Sequence, residues 1–549
     1  MAIASSVCGT YHSAADPRAS VMNSMGCVWG IVLAHPAGMF LLGAACAAAA
    51  LLLMPQQQQL GHRNPGSINV RRITMVSLVA VPCAFLLPGA AMAMAIDVDG
   101  ALLNIRNLLL LLVAGAFGAL VPYLGSLASP PSTRGLTCKT GLGVPLPYRG
   151  TRKCAYLDYN ATSPIFPEVS REMLPFIGEC FGNPSSTHAL GRSCKAAVDK
   201  ARARVAALLD CTPAEIVFVA SGSEADNHAI LGSLALYAKA NPSSGEGSLA
   251  SKPHVVSSTV EHPAVSKCLD HLVSEGKVEV TYVGVDGEGR VSCKEVVEAL
   301  RAETALVTIM HSNNEVGTLQ PIKEIAEACR GRGILCHTDA AQSIGKVSVQ
   351  VSDLGVDLLT IVGHKFGAPK GVAALYVRDG VALPPMVHGG GQEAGRRAGT
   401  ENVLLISGMG KAAEVVNVEL EQLSKHAYVL RARLLEHLEA AGLGEGVRVH
   451  GPRDPLLRLP NTLSIGIPGL QARVLLDTLS ETVAASAGSA CHSGGATMSG
   501  VLQAMGVDEA TGFGTLRLSV GRHTTASEVD RAAAAIVLEA KNMLASSSQ

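Results

Sequence analysis

The amino-acid sequence predicts an α/β fold in which a mostly parallel β-sheet is covered by helices. From Tyr156 onward, short apolar runs alternate with amphipathic stretches, which is typical of strands joined by helical crossovers. Chemically active residues stand at the ends of two of these runs: Asp339 at one, and the pair His364-Lys365 at another. Ligands of parallel sheets collect at the carboxyl ends of strands, so the same pattern predicts a binding site.

The predicted elements follow one another in a regular order. Those predicted as strands are short and rich in β-branched residues, whereas those predicted as helices carry apolar residues three or four positions apart. In chain order they are CKAAVDKARARVAALL (helix), EIVFVA (strand), EADNHAILGSLALYA (helix), HVVSSTV (strand), ALVTIMH (strand), IKEIAEACRGR (helix), GILCHTDA (strand) and DLLTIVG (strand).

The composition excludes several classes of protein. The chain has 549 residues, of which 48% are hydrophobic and 16% charged, enough for more than one domain and a large core. A formal net charge of −1 provides no basic field, so no nucleic-acid partner is expected. The 14 cysteines show no C-x-x-C pair and no zinc-like spacing. We therefore predict no metal site and no disulfide framework, and expect a reducing compartment.

The first part of the chain has a different composition. It contains no glutamate before Glu168 and no lysine before Lys139. Its three uncharged apolar runs are each long enough to cross a bilayer of about 30 Å; they are Cys27–Met54, Ile73–Ile96 and Asn107–Thr133.

Residues 1–130 are accordingly interpreted as a targeting or membrane-anchoring extension with up to three apolar helices, addressed to an organelle. A plastid is favoured, with a mitochondrion as the alternative. The second run follows Arg71 and Arg72 and ends in AAMAMA, which also resembles a twin-arginine signal with a cleavage site. A wrongly assigned start and an unrelated fused exon remain alternatives.

The rest of the chain divides into a linker and two units. Residues 131–150 are rich in Pro and Gly and read as a linker. Residues 151–400 are predicted to form a large α/β unit, the first residues of which could pack with the smaller unit, 401–549.

A cofactor site is suggested by Lys365 and Asp339. A lysine held at a strand end in a partly dry site can act as a Schiff-base lysine, because burial disfavours its ammonium form. A carboxylate on the pyridine nitrogen is the usual partner of such a lysine in pyridoxal phosphate enzymes. A solvated lysine is the alternative for Lys365 taken alone.

A phosphate site is suggested where the strand EIVFVA ends. Ser221, Gly222 and Ser223 follow it and begin a predicted helix, whose unpaired amides and positive dipole end suit an anion. An ordinary N-cap serine is the alternative.

Nine motifs of this region occur in the order found in one enzyme family. They are YLDYNATSP, GNPSSTHALGR, SGSEADN, EHPAV, HSNNEVGTLQPI, HTDAAQSIGK, GHKFGAPKGVAALYV, GGGQEAGRRAGTEN and SAGSACHSG. From about Tyr156 to Leu538 the chain resembles cysteine desulfurases and selenocysteine lyases, class-V aminotransferase-like enzymes of fold-type I. The resemblance implies pyridoxal phosphate, a large cofactor-binding domain and a smaller α+β C-terminal domain.

The resemblance also implies the residues that hold the cofactor. Lys365 forms the Schiff base, Asp339 pairs with the pyridine nitrogen, and His262 lies over the ring. The remaining contacts are Gln342 and Asn314 to the phenolic oxygen, Gly222, Ser223 and His364 to the phosphate, and Thr400 to the phosphate of a neighbouring subunit. The contact from Thr400 implies a homodimer. In relatives a serine often stands three residues before the lysine, whereas this chain has Val362.

Cys491 is implied as the nucleophile. It lies in a run so rich in Gly, Ser and Ala that a mobile thiol and an ordinary small-residue loop are both compatible with the residues alone; the family motif favours the thiol. The resemblance then implies L-cysteine or L-selenocysteine as substrate, bound by Arg517 and Asn183. Alanine is released, and a sulfur or selenium acceptor protein takes the atom held on Cys491, for iron–sulfur cluster or selenium metabolism.

Other functions remain as rivals. A transaminase or decarboxylase on the same fold would not need Cys491, and a membrane protein with a non-catalytic docking domain would not need Lys365 and Asp339. HGGG at His388 resembles an esterase loop, but the chain contains no G-x-S-x-G turn, which disfavours a hydrolase.

Overall fold

The computed structural model describes residues 154–242, 252–444, 446–492 and 495–547. The predictions for the extension and the linker therefore lie outside the described residues. Within these ranges, no helix combines the length and the hydropathy that a bilayer span requires.

The strands can be given in chain order. They are β1 (Ala155–Tyr156), β2 (Ile216–Val219), β3 (His254–Ser258), β4 (Glu279–Val283), β5 (Thr304–Thr308), β6 (Leu335–Asp339), β7 (Leu358–Val362), β8 (Ala373–Val377), β9 (Arg448–His450), β10 (Thr462–Gly466), β11 (Val483–Ala484), β12 (Ser486–Ala487), β13 (Ser489–His492), β14 (Gly495–Met498) and β15 (Thr515–Ser519).

The helices are numbered in the same way. They are α1 (Pro167–Met173), α2 (Ala189–Leu209), α3 (Gly222–Ala240), α4 (Pro263–Ser274), α5 (Cys293–Ala299), α6 (Ile322–Arg330), α7 (Val351–Leu354), α8 (Val403–Ala440), α9 (Ala472–Thr478), α10 (Gly500–Ala504), α11 (Glu509–Phe513) and α12 (Ala526–Ser547).

A seven-stranded sheet forms the centre of the larger unit, in the order β2-β8-β7-β6-β5-β3-β4. Strand β8 is antiparallel to both of its neighbours, and the other pairs are parallel. This confirms the predicted α/β fold with a mostly parallel sheet. The five segments predicted as strands are β2, β3, β5, β6 and β7, all of which run in the same direction and therefore end at one edge.

The main core lies between this sheet and its covering helices. It joins Ile216 and Leu359 of the sheet to Val205 of α2 and Met409 of α8, all fully buried. Apolar side chains at helical spacing supply one face of each helix, and burying that face is the main source of stability.

A second core belongs to the smaller unit. Its sheet has the order β12-β15-β10-β9 and is antiparallel throughout. Ala155 and Leu157 are buried in this core beside Leu434 of α8 and Ile536 of α12, and β1 pairs with β11. The described part of the chain thus starts in the smaller unit before it enters the larger one.

Helix α8 connects the two cores. Its first half contributes Ile406 and Val416 to the main core, and its second half contributes Leu430 and Leu438 to the second core. A single continuous helix fixes the angle between the two units more firmly than a loop would.

Candidate active site

A cavity of about 390 Å³ opens at the carboxyl ends of the parallel strands. Five of those strands bring residues to it, each from the segment that follows or ends the strand. The residues predicted for the site that line it are Gly222 and Ser223 after β2, His262 after β3, Asn314 after β5, Asp339 and Gln342 from β6 onward, and His364 and Lys365 after β7.

Lys365 lies in the short 3-10 turn Gly363–Lys365 that follows β7. Its Nζ donates to the backbone carbonyl of Asn160 at 2.8 Å and to that of Ala161 at 3.0 Å. Burial, and after it the positive charge of Arg517, lowers the pKa of Lys365 to about 8. A nucleophilic amine is therefore accessible at mildly alkaline pH.

Asp339 ends β6 inside the cavity, where its side chain is buried. The backbone N–H of Ala341 donates to Oδ1 at 2.8 Å. Burial raises the pKa of Asp339, while this hydrogen bond and the charges of His262 and Lys365 act in the opposite direction. Among the described residues, no guanidinium or ammonium group binds the Asp339 carboxylate. It is therefore available to a cationic ring nitrogen.

A second acid, Asp226 on α3, also lines the cavity. It is buried, and its Oδ1 has no hydrogen-bond partner among the described residues. Burial and the nearby charge of Asp339 raise its pKa well above the usual range. Because Asp226 and Asp339 are both buried and close to each other, one of the two carboxyl groups tends to retain a proton.

The two histidines of the site are both held in place by hydrogen bonds. His262 caps α4, since its Nδ1 accepts from the backbone N–H of Ala264 at 3.1 Å, which places the ring proton on Nε2. Burial lowers the pKa of His262, and Asp339 partly offsets this. His364 contacts the Thr162 hydroxyl through Nδ1 at 3.1 Å, and burial lowers its pKa to about 4. The ring of His364 is therefore neutral near pH 7.

The start of α3 provides the predicted anion site. Ser221 is its N-cap, and the Ser221 Oγ accepts from the backbone N–H of Glu224 at 3.2 Å. Val362 packs against this helix start: a Cβ added to Gly222 would lie 2.6 Å from Val362 Cγ2. A side chain at position 222 would therefore fit only if Val362, the residue where relatives often have a serine, moved aside. The valine leaves the helix amides and dipole to hold the anion.

Arg517 reaches the site from β15 of the smaller unit. Its Nη2 donates to Asp158 Oδ1 at 2.9 Å and to Ser486 Oγ at 2.8 Å, and its Nη1 donates to the carbonyl of Asn314 at 3.3 Å. The Nε is buried and has no partner among the described residues. The guanidinium therefore keeps donor capacity for a further acceptor.

Four predicted residues are not among those that line the cavity: Arg517, whose contacts are given above, and Thr400, Asn183 and Cys491. Thr400 and Asn183 are exposed, and Asn183 Oδ1 accepts from the backbone N–H of Ser185 at 2.9 Å. The backbone of Cys491 lies in β13, opposite Ala496 of β14. The position of the Cys491 side chain lies outside what the structure describes.

Three residues around the site were absent from the predicted set: Asp226, Asn160 and Lys346. Each falls within a motif already noted, in SGSEADN, YLDYNATSP and HTDAAQSIGK. Each of them could have been recognised as a polar residue that lies within a motif and has buried, apolar neighbours.

The residues present fit pyridoxal phosphate. Lys365 offers an amine for its aldehyde, Asp339 a buried carboxylate for its ring nitrogen, and the start of α3 unpaired amides for its phosphate.

Comparisons with known proteins point the same way. The chain matches the family described as Aminotransferase class-V over residues 155–532. It is 42% identical over 379 residues to the cysteine desulfurase IscS of Clostridium botulinum (strain Hall), a match that covers 69% of this chain and 92% of the relative. It is 43% identical over 380 residues to the IscS of Methanosarcina thermophila, covering 69% and 90%.

Solved structures agree with these relatives. A NifS-like protein superposes with a TM-score of 0.63 at 34% identity, covering 70% of this chain and 98% of that one. A structure described as SspA in complex with cysteine gives a TM-score of 0.55 at 33% identity, covering 68% and 100%. The chain belongs to the cysteine desulfurases of the class-V aminotransferase family, and its cofactor is pyridoxal phosphate.

Proposed function

We propose that this chain removes sulfur from L-cysteine, releases L-alanine, and holds the sulfur as a persulfide on Cys491. The observation that carries the proposal is the pairing of Lys365 and Asp339 in one cavity, each at the end of a parallel strand. One structure that the chain resembles at 33% identity is described as bound to cysteine. When bound, the cofactor supplies an electron-accepting ring.

Each residue of the chain then has a separate task. Arg517 binds the substrate carboxylate with its remaining donors, since a guanidinium suits a carboxylate better than an ammonium does. Lys365 Nζ holds or moves the α-proton, and His262 Nε2 carries a proton near the leaving sulfur. The Cys491 thiolate attacks this sulfur, so the carbon–sulfur bond breaks and a sulfur–sulfur bond forms. Cysteine and thiol become alanine and persulfide, without an added oxidant.

The test is release of alanine and sulfide from L-cysteine by purified holoenzyme. Cys491→Ser should retain the visible absorbance of the lysine-bound cofactor but form no persulfide, whereas Lys365→Ala should lose that absorbance. Cys293→Ser is the matched control, because Cys293 does not line the cavity. Sulfur transfer by Cys491→Ser at the rate of the unchanged enzyme would refute the assignment of the nucleophile.

L-Selenocysteine is the alternative substrate in this proposal. A selenol leaves more readily than a thiol, so Cys491→Ser should retain part of the selenide release while losing sulfur transfer. The ratio of kcat/KM for the two amino acids, measured on the unchanged enzyme, decides which element the site prefers. We expect an acceptor protein to take the sulfur onward for iron–sulfur cluster or selenium metabolism.

The active site is proposed to be shared within a homodimer. Thr400 is exposed and does not line the cavity of its own chain, which fits a contact with the cofactor phosphate of a second copy. Lys365→Ala and Thr400→Trp, each inactive alone, should recover activity when refolded together, because one site of each mixed dimer is then intact. Mixed dimers without activity would contradict a shared site.

The extension 1–130 is proposed to direct the protein to an organelle, with a plastid favoured, and to attach it to a membrane there. Its three uncharged runs support this proposal.

A further inference from the structure

A second lysine lies buried behind the site. Lys346 is 8% exposed, and its Nζ donates to Gln342 Oε1 at 2.8 Å and to Asn160 Oδ1 at 3.3 Å. No carboxylate forms an ion pair with it in the described part of the chain. Burying an amine without a counter-charge is costly, and neither the proposed chemistry nor the packing of the core requires it.

The hydrogen bonds of Lys346 fix the orientation of one amide. The Gln342 atom that faces Lys346 Nζ is the amide oxygen, which accepts from it. The Gln342 Nε2 consequently faces the other way, where it donates to the backbone carbonyl of Asn160 at 2.9 Å. Gln342 also lines the cavity. The group that it turns away from Lys346 is the amide nitrogen, which is a hydrogen-bond donor.

Asn160 joins this pair to the catalytic lysine. Its backbone carbonyl accepts from both Gln342 Nε2 and Lys365 Nζ. Its Oδ1 accepts from Lys346 and, at 3.0 Å, from Asn461 Nδ2 of the smaller unit. Lys346 therefore holds both the Gln342 amide and Asn160, whose backbone carbonyl accepts from Lys365.

We propose that Lys346 is a positioning residue that holds the Gln342 amide with its N–H toward the phenolic oxygen of the cofactor. The proposal rests on the cofactor contacts proposed above. A donor at that oxygen draws negative charge from it and so disfavours the proton on the adjacent nitrogen that joins lysine and cofactor. Without Lys346 the amide oxygen loses its donor and only the Asn160 carbonyl still holds the amide. The N–H is then directed less firmly at the phenolic oxygen, and that proton is held more tightly.

Other charged groups act on the same nitrogen from the elements around it. They are Arg517 on β15, Asp339 on β6, Asp158 after β1, His262 at the start of α4 and His364 beside Lys365. None of them is changed in the experiment below, so their effect is constant.

The experiment is a pH titration of the visible absorbance of the holoenzyme. Lys346→Met keeps the aliphatic volume and removes the donor. It should raise the midpoint by about one pH unit, the effect of one hydrogen bond to a charged oxygen. Lys323→Met makes the same substitution at an exposed lysine paired with Asp353 at 2.7 Å and should leave the midpoint unchanged.

A double variant separates positioning from simple loss of charge. Gln342→Leu removes the amide and should raise the midpoint itself. If Lys346 acts through Gln342, then adding Lys346→Met to Gln342→Leu should cause no further shift. Additive shifts, or no shift in a folded Lys346→Met protein, overturn the proposal. Absence of any visible band in the unchanged holoenzyme would instead refute the cofactor contacts on which it rests.

If Lys346→Met does not fold, Gln342→Glu addresses the same question with Lys346 in place. Lys346 would hold one carboxylate oxygen, and the other would replace the N–H at the phenolic oxygen. The midpoint should then rise further than in Gln342→Leu, and an equal or smaller rise would contradict the proposal.

Discussion

At the scale of single residues, the reactivity of Lys365 depends on where its amine loses its proton. Burial and the charge of Arg517 lower its pKa to about 8 from a usual 10.5. Because the pKa is lowered, the reactive amine increases as pH rises through about 8. The rate at which the apoprotein captures pyridoxal phosphate should level off above that pH and fall to about a tenth of the plateau at pH 7.

Arg517→Gln provides the check on this pH dependence. Removing the guanidinium takes away a positive neighbour of Lys365 and leaves Asp158 without its partner at 2.9 Å. Both changes favour the ammonium, so the midpoint of capture should move upward, as followed by the growth of visible absorbance. A midpoint near 10.5 in the unchanged protein would contradict the lowered pKa.

Asp158 and the substrate carboxylate are expected to compete for Arg517. Asp158→Asn should lower the KM for L-cysteine, because the guanidinium is released from a competing charge. Arg517→Lys should raise the KM by about tenfold to a hundredfold, since the fork of donors is lost. Steady-state alanine release measures both, with the cofactor absorbance as the control for an intact site. A rise in KM in Asp158→Asn would show that Asp158 orients Arg517 instead of competing with it.

Residues at strand ends could be predicted from the sequence, whereas the contacts that Asn160 and Lys346 make could not. Lys365 and Asp339 each follow a visible apolar run, and the geometry of parallel sheets brings such positions together. Asn160 meets Lys365 from 205 positions away, and Lys346 is buried although lysines are mostly exposed. Only the three-dimensional fold shows that their polar atoms meet.

At the scale of elements, one loop is anchored to the edge strand β2 by a buried ion pair. Glu393 accepts from Arg202 at 2.6 and 2.8 Å and from the backbone N–H of Phe218 at 2.9 Å. Glu393 and Ala394 have φ of 51° and 57°, a strained region for residues with a side chain. The ion pair offsets this strain and fixes the loop that leads to Thr400.

Glu393→Ala should therefore destabilise the protein strongly. Arg202, which is mostly buried, would be left without its counter-charge, a loss of about 3–5 kcal/mol in the free energy of unfolding. Urea unfolding followed by circular dichroism measures it as a lower midpoint at unchanged slope. Glu275→Ala, which breaks an exposed ion pair with Lys277, should change the midpoint little. Equal midpoints for Glu393→Ala and the unchanged protein would show that the loop is held by other contacts.

The pattern of elements predicted the sheet but not the direction of every strand. A period of two residues indicates a strand, but it does not distinguish β8, which is antiparallel to β7 and β2, from its parallel neighbours. The boundary predicted at residue 400 stands three residues before α8, whose two halves lie in different cores. A helix that is amphipathic toward two cores shows no break in its hydrophobic period.

At the scale of the whole molecule, the described structure defines where the catalytic part can be separated from the extension. Ala155 and Leu157 are buried in the second core, and the carbonyls of Asn160 and Ala161 hold Lys365. The catalytic part therefore needs the chain from about Cys154 onward.

Deleting residues 1–150 should give a folded, active enzyme, because both cores and every proposed site residue remain. Deleting residues 1–161 is the matched control: it removes β1 and the carbonyls that hold Lys365, and should abolish activity and lower the midpoint of unfolding. Residues 1–150 fused to a fluorescent protein should direct it to an organelle, as seen by microscopy and fractionation. A folded but inactive 1–150 deletion would show that the extension contributes to catalysis, and diffuse cytosolic fluorescence of the fusion would show that it is not an address.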